Sequence, residues 1–62
     1  MDLLDALEAW RKLGNAISSY TDKDDVYIMD FIDGDNRVCG WVKVYPAQGI
    51  RWNCPDELIH IA

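Results

Sequence analysis

The sequence predicts a small α+β domain in which one N-terminal amphipathic helix packs on a three- to four-stranded antiparallel meander sheet, in the order αβββ or αββββ. Three observations predict it. Apolar residues recur at helical spacing only over residues 2–20,. Period-two alternation takes over at 26–32 and 37–45,. Between and after those runs, 33–36 and 46–49 are made of turn residues,.

The first element is read as a helix over residues 2–20. At 100° per residue Leu3, Ala6, Leu7, Trp10, Leu13, Ile17 and Tyr20 fall on one arc, with Asp5, Glu8, Lys12, Asn15 and Ser19 opposite,. Asp2 is placed to cap the start, and Arg11 and Lys12 come later, as the helix dipole favours,. Gly14, at the margin of the arc, is read as a point where a strand backbone comes close,.

Residues 21–25 are a polar loop. The runs 26–32 and 37–45 form a hairpin around Asp33, Gly34, Asp35 and Asn36,. A turn at 46–49 leads to a short strand over 50–54,. Residues 58–61 are read as a fourth strand, with a short helix opened by Pro55 as the alternative,. The whole of 1–62 is one domain, with no linker and no room for a second core,.

Parity assigns the sheet faces. Tyr27, Met29 and Phe31 align with Val38, Gly40, Val42 and Val44, and then with Ile50, Trp52 and Cys54. This uninterrupted apolar face is expected to meet the helix and its Trp10. The register it requires puts Val44 opposite Ile50 and Val42 opposite Trp52. It also points Cys54 inward and Cys39 outward, which disfavours a bridge between them,.

The other face carries Val26, Ile28, Asp30, Ile32, Cys39, Trp41, Lys43, Tyr45, Arg51 and Asn53. The solvated face of an antiparallel sheet is ordinarily polar. Aromatic and aliphatic groups rimmed by charge have instead the composition of a binding surface, for a partner or a second copy. Val26, Ile28, Asp30, Trp41, Lys43, Tyr45 and Arg51 are its candidate contacts. Cover by the C-terminal segment is the structural alternative.

Eleven acidic residues against six basic ones give a net charge of −5. That sign opposes DNA, RNA and anionic membranes and favours a basic protein partner. The up-and-down topology is expected to gather Asp2, Asp5, Asp33, Asp35, Asp56 and Glu57 at one pole. Each also suits a helix start or a turn, so solvated turn chemistry is the simpler reading and a concentrated negative surface for a basic partner the functional one.

Catalytic and metal chemistry find little support. Residues 33–36 lack the alternating acids and distal glutamate of a calcium loop,. His60 is the only histidine, and with two cysteines of opposed parity it makes a poor triad or zinc site,. No phosphate loop or basic patch appears,. Trp41 and Tyr45 with Lys43 and Arg51 are suited to stacking bases, but the surrounding acids oppose it,. No enzymatic activity, cofactor, metal or direct nucleic-acid contact is expected.

No run is apolar enough to span a bilayer, and the acidic start differs from a secretory signal,. The reading is a soluble cytoplasmic protein with free thiols. In size and charge alone the chain resembles phage-encoded inhibitors such as anti-CRISPR and DNA-mimic proteins, which would place it in a host cytoplasm. That resemblance implies a small inhibitor of a basic nucleic-acid-handling protein. The competing expectation is a structural or regulatory adaptor that forms a homodimer through the outer sheet face.

Overall fold

The Asp2 carboxylate accepts the Asp5 N–H at 2.9 Å and caps helix α1 (Leu3–Lys12),. These contacts come from a computed structural model, which describes residues 1–60. The helix ends far short of the expected residue 20. Gly14 takes φ +86°, and its N–H returns to the Arg11 carbonyl at 3.0 Å, a left-handed C-terminal cap,. A Cβ at Gly14 would meet nothing within 4 Å. Gly14 therefore stops the helix, and the expected close approach of a strand does not occur.

Past this cap the chain becomes a strand. The sheet is a meander in the order β1-β2-β3-β4, with every neighbour antiparallel. Its strands are β1 (Ala16–Thr21), β2 (Tyr27–Ile32), β3 (Val38–Tyr45) and β4 (Gly49–Asn53). After Pro55 comes a short helix, α2 (Asp56–Ile59). The αββββ architecture thus holds with its fourth strand in a different place. It comes from the second half of the predicted helix, while Leu58 and Ile59, read as strand, are helical. Ile61, the end of that expected strand, lies outside the described residues.

The register is the one parity requires. Tyr27 pairs with Val44, Met29 with Val42 and Phe31 with Gly40, while Val42 pairs with Trp52 and Val44 with Ile50. One irregularity breaks it: Ile32 pairs with Val38, which leaves Cys39 as an extra residue in a bulge,. The bulge carries Cys39 out of the outward position that strict alternation gave it and packs it against the edge of the core. Both cysteines are free and half-buried.

Two hairpins close in the same way. Asp33 Oδ1 accepts the Asp35 and Arg37 N–H groups, both at 2.9 Å, and Asn36 takes φ +63°. One turn earlier, Asp22 Oδ1 accepts the Asp24 and Val26 N–H groups at 2.8 and 3.1 Å, and Asp25 takes φ +62°. Each aspartate folds its own turn by occupying backbone donors that would otherwise be unpaired. The 21–25 loop is therefore the β1–β2 hairpin.

The core consists of Ala6, Trp10, Phe31, Val42 and Leu58, closed by Pro55. Trp10 is fully buried, and its ring meets Phe31 edge-on at 5.8 Å and 77°,. Its Nε1–H donates to the Ala16 and Ile32 carbonyls at 3.0 and 3.1 Å, joining α1 to the β1–β2 pair. Truncation to alanine is expected to cost ~3–5 kcal/mol, a large part of the stability of so small a domain.

At ~15 Å, a ten-residue helix covers only part of the sheet,. Its cover, shared with α2, centres on Phe31 and Val42. Beyond it Tyr27 and Ile50 on the same face are 41% and 56% exposed. Leu13 and Tyr20, expected on the buried arc, are exposed as well.

Candidate outer-face binding site

On the face away from α1, Ile28 stands opposite Tyr20 of β1 and Lys43 of β3. Trp41 and Tyr45 flank Lys43 at the diagonal positions, within reach of long side chains across a strand pair,. No other element among the described residues packs over this face, yet Ile28 is only 8% exposed, and so is Val26 at its end. The side chains around them make a low apolar mound, with Trp41, Lys43 and Tyr45 half-buried and Tyr20 about half exposed. The alternative of cover by the C-terminal segment is not met in the described residues: Leu58 belongs to the opposite face, in the core with Trp10.

Charge on the mound is arranged unevenly. Lys43 and Arg51 stand directly opposite each other, where like charges repel,. Neither forms an ion pair among the described residues. Lys43 leans its Nζ over the Trp41 ring, 5.1 Å from the centroid, a cation–π contact,. Asp30 pairs across the strands with Trp41. The centre of the face is thus aromatic and locally basic, within an acidic molecule.

The acids divide between the two ends of the sheet. Asp33 and Asp35 occupy the β2–β3 turn, and β4 delivers Asp56 and Glu57 to that same end. Asp22, Asp24 and Asp25 occupy the β1–β2 turn at the opposite end. The placement of Asp2 and Asp5 with the first group relied on a helix lying along the sheet to residue 20, and that premise falls with the helix's length. Arg37 also neutralises part of the first group, since its guanidinium is 3.1 Å from Asp35 and 3.8 Å from Asp33.

Asp33 is a structural carboxylate with a distinctive neighbour. The Arg37 N–H bond, ahead of the other contributions, holds its carboxyl below the ordinary aspartate range,. The Cys39 Sγ–H points at its Oδ2 from 3.5 Å. Desolvation first, and then that carboxylate, raise the Cys39 thiol above its usual value,. A thiol held protonated in this way is a poor nucleophile. His60 is exposed at the end of α2, and no group of three His, Cys, Asp or Glu side chains among the described residues is placed to hold a metal.

Two of the shallow open depressions among the described residues are of a size to note. One, of about 420 Å³, runs along α1 beside Asp5, Glu8 and Lys12. The other, of about 380 Å³, continues the outer face past Val26 and Tyr45 to Pro46 and Gln48. Among the described residues no helix is long and apolar enough to cross a membrane. No family model, curated protein or solved structure matches the chain.

Proposed function

We propose that the chain is a non-enzymatic, acidic protein-binding module that docks through its outer sheet face and inhibits a basic nucleic-acid-handling protein. The observation that carries this reading is the uncovered mound of Trp41, Lys43 and Tyr45 around Ile28. Aromatic anchors with adjacent charge are what interface centres are made of. Lys43 and Arg51, without an ion pair among the described residues, suit a carboxylate or carbonyl group at the centre of the contact. The acidic turns at both ends of the strands suit basic groups at its rim, and the net charge of −5 steers a basic partner toward them,.

The test is a purified pair, after capture from an extract of the source cell. Trp41→Ala is expected to weaken binding ~10- to 100-fold, the scale of an interface anchor. Asp35→Lys with Glu57→Lys is expected to slow association and flatten its salt dependence. Asp33 is unsuitable for charge reversal because its side chain builds the turn. Binding that ignores both ionic strength and the acidic variants rules out the basic partner, and full affinity in Trp41→Ala rules out the face.

A second reading, self-association face to face, is favoured by the mixed sign of the surface. Asp30 beside Lys43 and Arg51 gives that surface charges of both signs for a second copy to match. Sedimentation distinguishes it: such a dimer dissociates in Trp41→Ala.

A further inference from the structure

The first strand of the sheet is an edge, and its hydrogen-bonding parity is fixed by its turn. The Asp22 N–H donates to the Val26 carbonyl at 3.0 Å, so these two residues face each other through their backbone groups. Antiparallel ladders alternate. Counting back along the register, Tyr20, Ser18 and Ala16 turn their N–H and C=O groups toward β2. Ile17, Ser19 and Thr21 therefore present theirs outward.

Sheet edges are ordinarily blunted by charge, proline, a bulge or a covering element. Among the described residues strand β1 has none of these: the run AISSYT carries no charge, no proline and no glycine, and all of it except Ile17 is exposed. Strand β4, the other edge, carries Arg51, opens on Gly49 at φ +90° and is followed at one remove by Pro55. The two edges are treated differently by the sequence.

We propose that the chain self-associates by antiparallel pairing of β1 with β1 of a second copy, centred on Ser19, to form one continuous sheet. A two-fold axis normal to the sheet keeps the two inner faces on the same side, which requires each residue to meet one of its own parity. Centring on Ser19 meets that condition and pairs Ser19 with Ser19 and Ile17 with Thr21 of the second copy. Each outward N–H and C=O of those residues then finds a counterpart.

Charge selects a second copy as the occupant. In this register Asp22, the first residue of the acidic β1–β2 turn, lies opposite Ala16 of the second copy, four residues past the end of its α1. That helix ends in Arg11 and Lys12. The acidic β1–β2 turn of each copy therefore stands at the same end of the joined sheet as the basic last turn of the other's helix, twice by symmetry. Arg11 forms no ion pair among the described residues. An arrangement that sets acids near bases offsets part of the repulsion between two copies of a chain of net charge −5,.

Sedimentation equilibrium on the full chain, over a series reaching millimolar concentration, tests the proposal. The wild type is expected to dimerise, more weakly as salt rises. Ser19→Pro removes an outward N–H that β2 does not use, so the fold survives while association weakens by at least ~10-fold. Arg11→Glu is expected to weaken it too. If Ser19→Pro loses its fold by circular dichroism, amide exchange on the wild type decides. Ile17, Ser19 and Thr21 should gain protection with concentration while the amides of Ile50 and Trp52 on the other edge do not. A strict monomer overturns the proposal, as does a dimer that persists in folded Ser19→Pro or one that dissociates only in Trp41→Ala.

Discussion

Gly40 has no room for a methyl group. A Cβ there would stand 2.6 Å from the Asn53 carbonyl oxygen and 2.9 Å from the Pro55 ring, and neither of those can turn aside. Gly40→Ala is therefore expected to destabilise the fold by ~1–3 kcal/mol in a urea titration, as overpacking does. Asp33→Asn separates charge from geometry, because the amide oxygen still accepts the turn's N–H groups. In the wild type the lowered pKa of Asp33 gives a contribution present above the unfolded value of ~3.9 and lost as pH falls through the folded value,. Asp33→Asn should therefore flatten the acid limb of the stability profile. It should also speed alkylation of Cys39, which loses the carboxylate that helps keep its thiol protonated. The burial of Trp10 is legible from its place on the helical arc. The contact of Gly40 with Pro55 is not, since it joins distant residues through a chain path that alternation alone does not trace.

Among the elements, α1 and β1 show how one periodicity can hide two structures. Leu13, Ile17 and Tyr20 continue the helical spacing of Leu3, Ala6 and Trp10, yet Ile17 pairs with Phe31 on the inner face and Tyr20 with Ile28 on the outer. The stop signal is present in Gly14 and Asn15 after Arg11 and Lys12, as are the β-favouring residues of β1,. Gly14→Ala, forced to φ +86°, is expected to cost about 1 kcal/mol by thermal melting,. The repeated Asp-x-Asp-Asp/Asn pattern at 22–25 and 33–36 also announces two equivalent turns, and with them the hairpin that helical spacing hides. Residues 58–61 mislead in the other direction: an apolar run suggests a strand, whereas Pro55 opens a helix that seats Leu58 in the core.

For the whole molecule, parity makes the outer face legible because it needs only the sheet register, which the inner-face pattern determines. The distribution of acids is less legible, because it depends on where α1 ends and on which loops are hairpins. Acids at both ends of an aromatic face make a specific demand on any partner. Raising ionic strength should reduce the association rate with a basic partner much more than it raises the dissociation rate, measured by surface plasmon resonance. Trp41→Ala should do the reverse, raising dissociation with little change in association.

Leu58 shares one cluster with Ala6 and Trp10, so α1 and α2 are held by the same few side chains. Detachment of α2 alone would expose Phe31 and Val42, and detachment of α1 would release the Ala16 and Ile32 carbonyls from the indole. Neither helix can open without dismantling what protects the other. Native-state hydrogen exchange should therefore show the amides of α1, β2 and β3 exchanging together at a single opening free energy, with no sub-global unit below it. The β1–β2 and β3–β4 turns, remote from that cluster, should exchange independently and fast.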